Sequence, residues 1–163
     1  ADKMELIIQK AVELGVYEIV PVATKRCVVK LDAKKEASKI ARWQAIAEAA
    51  AKQSKRAVVP RICPVMTMGE AIQAASKMEH RIIPYELAEG MGKTKETFAS
   101  FTSGNSVAVF IGPEGGFEEK EVEAAAAAGV EPISLGKRIL RTETAGFTVL
   151  SWIMYELEVR QGE

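Results

Sequence analysis

The sequence contains, at residues 106–117, the stretch SVAVFIGPEGGF, an apolar run that leads directly into a glycine-rich loop. A run without polar alternation is typical of a parallel strand that is covered on both faces. The next residues, EEKEVEAAAAA at 118–128, predict a helix that ends at Gly129. VEPISL at 130–135 predicts a further strand. The order strand, helix, strand is the pattern of an α/β fold.

The rest of the chain continues this alternation in both directions. Thr67 and Glu70 have the spacing of a capping box at the start of a helix, and Gly15 is placed to end the first helix. Thr142 or Thr144 could cap the last helix. We therefore expect one α/β domain with a mostly parallel sheet flanked by helices. Apolar periodicity predicts further helices at residues 3–14, 34–53, 67–77, up to about 101, and 144–159, and strands at 17–22 and 81–85.

Composition limits the class of protein. Of the 163 residues, 48% are hydrophobic, which suffices for one well-packed domain. Lysine plus arginine and aspartate plus glutamate number 22 each, so any surface for nucleic acid must be a local basic patch. The longest uncharged apolar stretch, residues 145–155, is too short to span a bilayer. Charges within the first five residues argue against a signal peptide.

The cysteines and the histidine point to a cytoplasmic protein without a metal. Cys27 and Cys63 are isolated, so we expect free thiols in a reducing cytoplasm. His80 is the single histidine, which excludes most histidine-based metal sites. Residue 1 is Ala1 and not methionine, so we expect the chain to be an excised fragment with a segment missing before it.

Two loops carry residues suited to ligand binding. The loop at 112–117, GPEGGF, follows a strand, where ligands bind in α/β folds, and its glycines permit close approach to a ligand. It lacks the G-x-G-x-x-G and G-K-[ST] patterns, and an ordinary tight turn is the favoured explanation of its glycine pair alone, although Pro113 and Glu114 make the loop more particular. In the loop at 135–145, LGKRILRTETA, arginine suits planar anions and phosphate, although a solvated loop with helix-capping residues is an even alternative.

Taken together, these loops are recognisable. IGPEGGFxxxE followed by LGxRILRTETA resembles the signature of the RsmE family of uridine-N3 ribosomal RNA methyltransferases. The segments IIQKAVELGVYEIVPV, TKRCVVK and EAAAKQSKRAVVP also match, so the resemblance covers nearly the whole chain. The chain departs from the family pattern at Glu118, where serine or threonine is usual, and at Cys27, where serine is frequent. Neither departure touches the main loops.

The resemblance implies a fold and an activity. Residues 1–163 are expected to form a SPOUT-type methyltransferase domain with a C-terminal trefoil knot, working as a homodimer. The family's N-terminal PUA-like RNA-binding domain is absent from this chain. The cofactor implied is S-adenosyl-L-methionine, and the substrate is a uridine of ribosomal RNA in the small ribosomal subunit, methylated at N3.

The resemblance also implies roles for individual residues. Arg141 and Arg138 are the candidate catalytic residues, since a fixed arginine would stabilise the negative charge on a deprotonated uridine. Either could instead hold an RNA phosphate. Glu114 could act as a base, as a partner of the cationic cofactor or as a structural helix-end residue, and Tyr85 could equally be plain core. The candidate RNA-binding residues are Arg26, Lys55 and Arg56. The candidate cofactor-binding residues are Pro84, Tyr85, Ile111, Gly112, Pro113, Glu114, Gly115, Gly116, Leu135, Gly136, Ile139, Leu140, Thr144 and Ala145.

Two alternatives from other classes stay open at this point. One is a flavodoxin-like or Rossmann-like nucleotide-binding domain of another enzyme class that would hold phosphate at residues 112–117. The missing G-x-G-x-x-G and ribose-binding acid argue against it. The other is a non-catalytic RNA-binding module with the same fold. Cofactor binding separates these alternatives.

Overall fold

The computed structural model describes residues 3–24, 32–88 and 90–162. No helix in these ranges is both long and apolar enough to cross a membrane. The helices are α1 (Lys3–Glu13), α2 (Ala33–Gln53), α3 (Met68–Ala75), α4 (Met91–Ala99), α5 (Glu119–Ala127) and α6 (Thr142–Met154), which a π-helical segment, Tyr155–Arg160, continues. The strands are β1 (Glu18–Ile19), β2 (Val22–Ala23), β3 (Arg61–Ile62), β4 (Met66–Thr67), β5 (His80–Pro84), β6 (Val107–Val109) and β7 (Glu131–Ile133).

A parallel sheet with the strand order β6-β5-β7 forms the centre of the second half of the chain. Ile82 of β5 pairs with Val109 of β6, and Pro84 pairs with Ile133 of β7. Ile82 and Ile83 are fully buried because helices pack on both faces of the sheet. The predicted parallel α/β architecture is confirmed, and the carboxyl ends of all three strands meet at one edge.

The first half contains two short parallel pairs, β1 with β3 and β2 with β4. The sequence pattern predicts one strand over residues 17–22, whereas the structure divides it at Val20 and Pro21. Proline has no N–H to donate to a ladder, so the strand breaks there. The carbonyl of Pro21 still accepts a hydrogen bond from the Met66 amide at 3.0 Å.

Each layer of helices has its own apolar core. Between α1 and α2, the predicted anchor Trp43 is 8% exposed and packs with Ile8 and Val12. One face of the central sheet packs against α3 and α5 through Ile83, Phe110, Phe117, Val122 and Val130. The other face packs against α4 and α6 through Ile82, Phe98, Phe101, Ile133 and Val149.

The ends of two helices test the capping predictions. At α3, Thr67 Oγ1 accepts a hydrogen bond from the Glu70 amide at 3.1 Å, and Glu70 Oε1 accepts one from the Thr67 amide at 3.0 Å, so the predicted capping box is confirmed. At α6, Arg141 occupies the N-cap position without a side-chain hydrogen bond. The expected threonine cap is therefore wrong, because Thr142 directs its hydroxyl to another loop and Thr144 lies within the helix.

Three helices end with a residue in the left-handed conformation. Gly15 (φ 92°) follows α1, and Gly129 (φ 90°) follows α5, as the sequence predicts. After α2 the same position is held by Lys55 (φ 61°). The Lys55 amide bonds to the carbonyl of Lys52 at 3.2 Å, and the Arg56 amide bonds to that of Ala51 at 2.8 Å. This pair of hydrogen bonds is a Schellman motif, in which glycine is the usual occupant.

Candidate functional site

Three loops at the carboxyl edge of the central sheet enclose a cavity of about 520 Å³. The size is in the range of small-molecule sites, roughly 300–1,000 Å³. The loops follow β5, β6 and β7, and the N-terminus of α1 closes the fourth side. The cavity is lined by Lys3, Pro84, Tyr85, Glu86, Ile111, Gly112, Pro113, Glu114, Gly115, Gly116, Phe117, Leu135, Gly136, Arg138, Ile139, Leu140, Arg141, Thr142 and Ala145.

The cavity brings together nearly all the residues that the sequence singled out for the cofactor. Among these candidates, Thr144 alone is not part of the lining, and it is exposed. Arg138 and Arg141 line the cavity and are exposed to solvent. Tyr85 lines the cavity and also packs against the apolar core between the central sheet and helices α3 and α5. It therefore combines the two roles that the sequence left open.

Sequence reasoning missed four lining residues, Lys3, Glu86, Phe117 and Thr142, the last of which it named only as a possible helix cap. Phe117 directly follows the glycine-rich loop, so its position in the motif could have revealed it. Lys3 lies more than one hundred residues before this loop, and only the packing of α1 against α6 brings it to the cavity. No local pattern in the sequence indicates that contact.

The glycine-rich loop is shaped by close approach and by backbone conformation. A Cβ atom on Gly112 would lie 3.1 Å from the Phe117 ring and 3.2 Å from the Phe117 backbone nitrogen, so a side chain would have to displace the loop. Gly116 has φ 75°, a conformation that L residues rarely adopt. The loop after β7 has a similar point at Gly136, with φ 115°. These glycines let the backbone of both loops face the cavity.

A hydrogen bond joins the two main loops. The Thr142 hydroxyl donates to the carbonyl of Gly112 at 3.0 Å, at the first residue of α6. The loop after β6 is thereby fixed to the start of α6, and the two segments form one continuous wall.

An ionic cluster connects these same two segments to the start of α1. Lys3 Nζ is 3.4 Å from Glu114 Oε1 and 3.4 Å from Glu143 Oε2. The pKa of Glu114 is lowered by a hydrogen bond from its own backbone N–H and then by Lys3. The pKa of Glu143 is lowered first by its own backbone N–H, with smaller contributions from Lys3 and Arg141. Both carboxylates are therefore ionised at neutral pH.

Two of the three residues predicted to bind RNA, Lys55 and Arg56, are not part of the cavity lining. Arg56 Nη1 donates to the carbonyls of Val12 at 3.1 Å and Val16 at 2.7 Å, so its guanidinium satisfies the end of α1. Lys55 is exposed beside it. Arg26 lies outside the described residues. The RNA-binding role of these three residues stays a prediction.

The described residues include no cluster of three or more histidine, cysteine or acidic side chains that could hold a metal ion.

Cys63 is free and buried. Burial, followed by the charge of Glu18, raises the pKa of the Cys63 thiol to about 11, so this side chain is a protonated packing group. Cys27 lies outside the described residues. His80, expected at the surface, is half-buried against Phe101 and hydrogen-bonds to Asn105 at 3.0 Å.

Comparisons with known proteins agree with this site. Residues 1–154 match the family model described as RNA methyltransferase domain. The ribosomal RNA small subunit methyltransferase E of Bacillus subtilis is 40% identical over 165 residues, which cover 99% of this chain and 64% of the relative. The protein of the same name from Mesomycoplasma hyopneumoniae is 36% identical, covering 90% of this chain and 62% of the relative.

Two solved structures combine the same fold with a bound cofactor. A putative methyltransferase from Legionella pneumophila, in complex with SAM, has a TM-score of 0.87 and 34% identity, covering 96% of this chain and 62% of the other. A ribosomal RNA small subunit methyltransferase E from Neisseria gonorrhoeae, bound to S-adenosyl methionine, has a TM-score of 0.78 and 35% identity, covering 94% and 61%. The chain thus spans less than two thirds of the length of these relatives. Through its match to the family model and its identity to these relatives, the chain belongs to the RNA methyltransferase domain family.

Proposed function

We propose that this chain is the catalytic domain of an S-adenosyl-L-methionine-dependent methyltransferase that acts on N3 of a uridine in small-subunit ribosomal RNA. One observation carries the proposal: the two loops of the sequence signature, which α5 and β7 separate in the chain, line one cavity and are joined by the bond from Thr142 to Gly112. Two further findings support it: the similarity to relatives named ribosomal RNA small subunit methyltransferase E, and the cofactor bound in two similar structures.

The lining suits the parts of this cofactor. Leu135, Ile139 and Leu140 offer apolar contacts for the adenine ring. Ile139 lines the cavity and is 83% exposed, so a bound adenine ring would remove apolar surface from water there. The backbone at Gly116 and Gly136 can approach a ligand closely because no side chain intervenes.

The proposed chemistry depends mainly on position and charge. The bound cofactor supplies an activated methyl group on its sulfonium. Uridine N3 must lose its proton to solvent water before it can accept the methyl group, and the resulting negative charge spreads to the neighbouring carbonyl oxygens. Arg141 and Arg138, both at the cavity, are the residues we assign to stabilise that charge. Glu114 is ionised and paired with Lys3, which favours a charge-balancing role over that of a base.

The proposal extends to assembly and topology. We propose a homodimer, because α6 and α4 leave an apolar groove lined by Phe98, Trp152 and Tyr155. We also propose the SPOUT-type trefoil knot at the C-terminal part of the sheet. The resemblance of the two loops to the family signature supports it.

Calorimetric titration tests the proposed cofactor. We expect one site per chain for S-adenosylmethionine and for its demethylated product, and no binding of NAD or FMN. The Gly115→Val variant should bind neither cofactor form, since a branched side chain would occupy space at the cavity wall. Gly69→Val is the matched control, because Gly69 lies on α3 outside the lining and has room for a Cβ atom.

The alternatives predict other outcomes. Binding of NAD or FMN in place of S-adenosylmethionine would establish the other enzyme class. RNA binding without any cofactor binding would favour the non-catalytic module. Unchanged cofactor affinity in a folded Gly115→Val protein would contradict the assignment of this cavity.

A further inference from the structure

Lys3 occupies an unusual place among the residues of the cavity. It is the first residue of α1, yet its ammonium group reaches both the loop after β6 and the start of α6. The side chains of Lys3, Glu114 and Glu143 are 35%, 68% and 17% exposed, so Glu143 is the most shielded member. These three groups connect parts of the chain that no strand pairing joins.

Glu143 needs this lysine more than Glu114 does. Its Oε2 atom is buried and receives no well-aligned hydrogen bond within the described part of the chain. Lys3 Nζ, at 3.4 Å, is its ion-pair partner there. Arg141 contributes a smaller charge effect than Lys3 at Glu143, so Lys3 is its main countercharge. Removing the main countercharge of a buried carboxylate oxygen is costly, so loss of Lys3 should disturb the first turn of α6. The Thr142 bond to Gly112 begins in that same turn.

We infer that Lys3 is a positioning residue of the cofactor cavity, which holds the glycine-rich loop and the start of α6 together through the carboxylates of Glu114 and Glu143. The inference rests on the proposed function, since it concerns binding of S-adenosylmethionine. Lys3 also balances two negative charges beside the cavity. Without it, those charges would attract a cation more strongly.

The charge of the cofactor provides a specific readout. S-adenosylmethionine carries a sulfonium cation, whereas its demethylated product is uncharged at sulfur. Loss of positioning should weaken binding of both molecules, while the uncompensated carboxylates should favour the cation alone. A purely structural defect would weaken both to the same extent, so the ratio of the two affinities separates the two explanations.

Calorimetry on the Lys3→Met variant of the whole chain tests the inference. Methionine keeps the apolar stem and removes the charge. We expect affinity for the demethylated product to fall about fivefold, the effect of roughly 1 kcal/mol for a partly buried ion pair. Affinity for S-adenosylmethionine should fall less, and Lys3→Arg should restore both values. Lys10→Met is the matched control, because Lys10 lies on the same helix and pairs with Glu13 away from the cavity.

Each result decides between the hypotheses. If the wild-type chain binds neither molecule, the proposed function fails. If the wild type binds both and Lys3→Met binds the product as tightly as the wild type does, Lys3 has no positioning role. An equal loss for both molecules, or a folded Lys3→Arg variant that restores neither, would also overturn the inference, because charge would then not be the cause. Thermal unfolding of each variant verifies that it is folded.

Discussion

At the scale of single residues, two arginines near the mouth of the cavity differ in how firmly they are held. Arg141 is the N-cap residue of α6, so its backbone is fixed by the helix, although its side chain makes no capping bond. Arg138 lies in the loop between β7 and α6. A fixed backbone reduces the entropy lost when a side chain adopts its working position, which makes Arg141 the better candidate for stabilising charge.

We predict that Arg141→Ala lowers methyl transfer about 100-fold while affinity for S-adenosylmethionine stays unchanged, since the stabilised charge develops only during the reaction. Single-turnover methyl incorporation into small-subunit particles, with the chain in excess so that weak RNA binding does not hide the effect, measures the first quantity, and calorimetry measures the second. Arg138→Ala, made in the same enzyme, is the comparison. Full activity of the Arg141→Ala variant would remove this residue from the mechanism and leave Arg138.

Whether a site residue could be predicted from the sequence depends on its distance along the chain from the two loop motifs. The glycines at 112, 115 and 116 stand in one motif, and the residues at 135–145 stand in another, so both groups could be named from the chain alone. Lys3 depends on tertiary packing of α1 against α6, and no motif predicts it. Thr144 was named because it belongs to the second motif, but helix geometry turns it away from the cavity lining.

At the scale of elements, α6 leaves much of its apolar surface uncovered by the chain itself. Val149 is its one fully buried residue, while Phe147, Leu150 and Met154 are half-buried. The groove beside it has a volume of about 470 Å³ and ends at Tyr155, which is 54% exposed. Such a face is typical of a subunit interface.

We predict that the chain is a dimer at micromolar concentration and that Tyr155→Glu makes it monomeric, because a buried charge at an apolar interface has no partner. Sedimentation equilibrium measures the mass. Tyr17→Glu is the control: Tyr17 is 78% exposed and lies between α1 and β1, outside the groove. A wild-type chain of monomer mass would contradict the dimer.

The elements that periodicity predicted best are those with long apolar patterns. The bounds predicted for α2 and for α5 differ from the structure by one residue at most. The prediction of one continuous strand at 17–22 was wrong, because Pro21 interrupts the strand pairing. The last predicted helix also differs from the structure, since it changes to a π-helix at Tyr155. Neither a ladder break nor a change of helix type alters the apolar pattern from which these segments were predicted.

At the scale of the whole molecule, the balance of charge limits how the chain can meet RNA. Its net charge is zero, so it has no general positive field to attract a polyanion. One of its candidate basic residues, Arg56, is engaged with the backbone of α1. The architecture follows from alternating strands and helices, whereas the proposed knot is outside what any periodicity predicts.

We predict that this chain binds cofactor but methylates ribosomal RNA poorly, and that it binds RNA more weakly than the full-length Bacillus subtilis relative, of which it spans 64%. The relative should also show the steeper dependence of affinity on salt, since more phosphate contacts release more counterions. Filter binding across a salt series measures the RNA affinity and its salt dependence, and methyl incorporation measures the activity. Equal activity and equal salt dependence would contradict the prediction.

The left-handed backbone conformation of Lys55, at the end of α2, affects the thermal stability of the protein. The left-handed conformation is accessible to Gly15 and Gly129 because they have no Cβ atom. In Lys55 the Cβ atom makes the same backbone conformation unfavourable by about 1 kcal/mol. Glycine would remove that strain while keeping the backbone hydrogen bonds at Ala51 and Lys52, which use no side-chain atom. The greater entropy of glycine in the unfolded chain offsets part of this gain, so Lys55→Gly should raise the melting temperature by less than the roughly 2–4 °C that 1 kcal/mol corresponds to in a chain of this length. The protein therefore holds an unused margin of thermal stability at one exposed surface position.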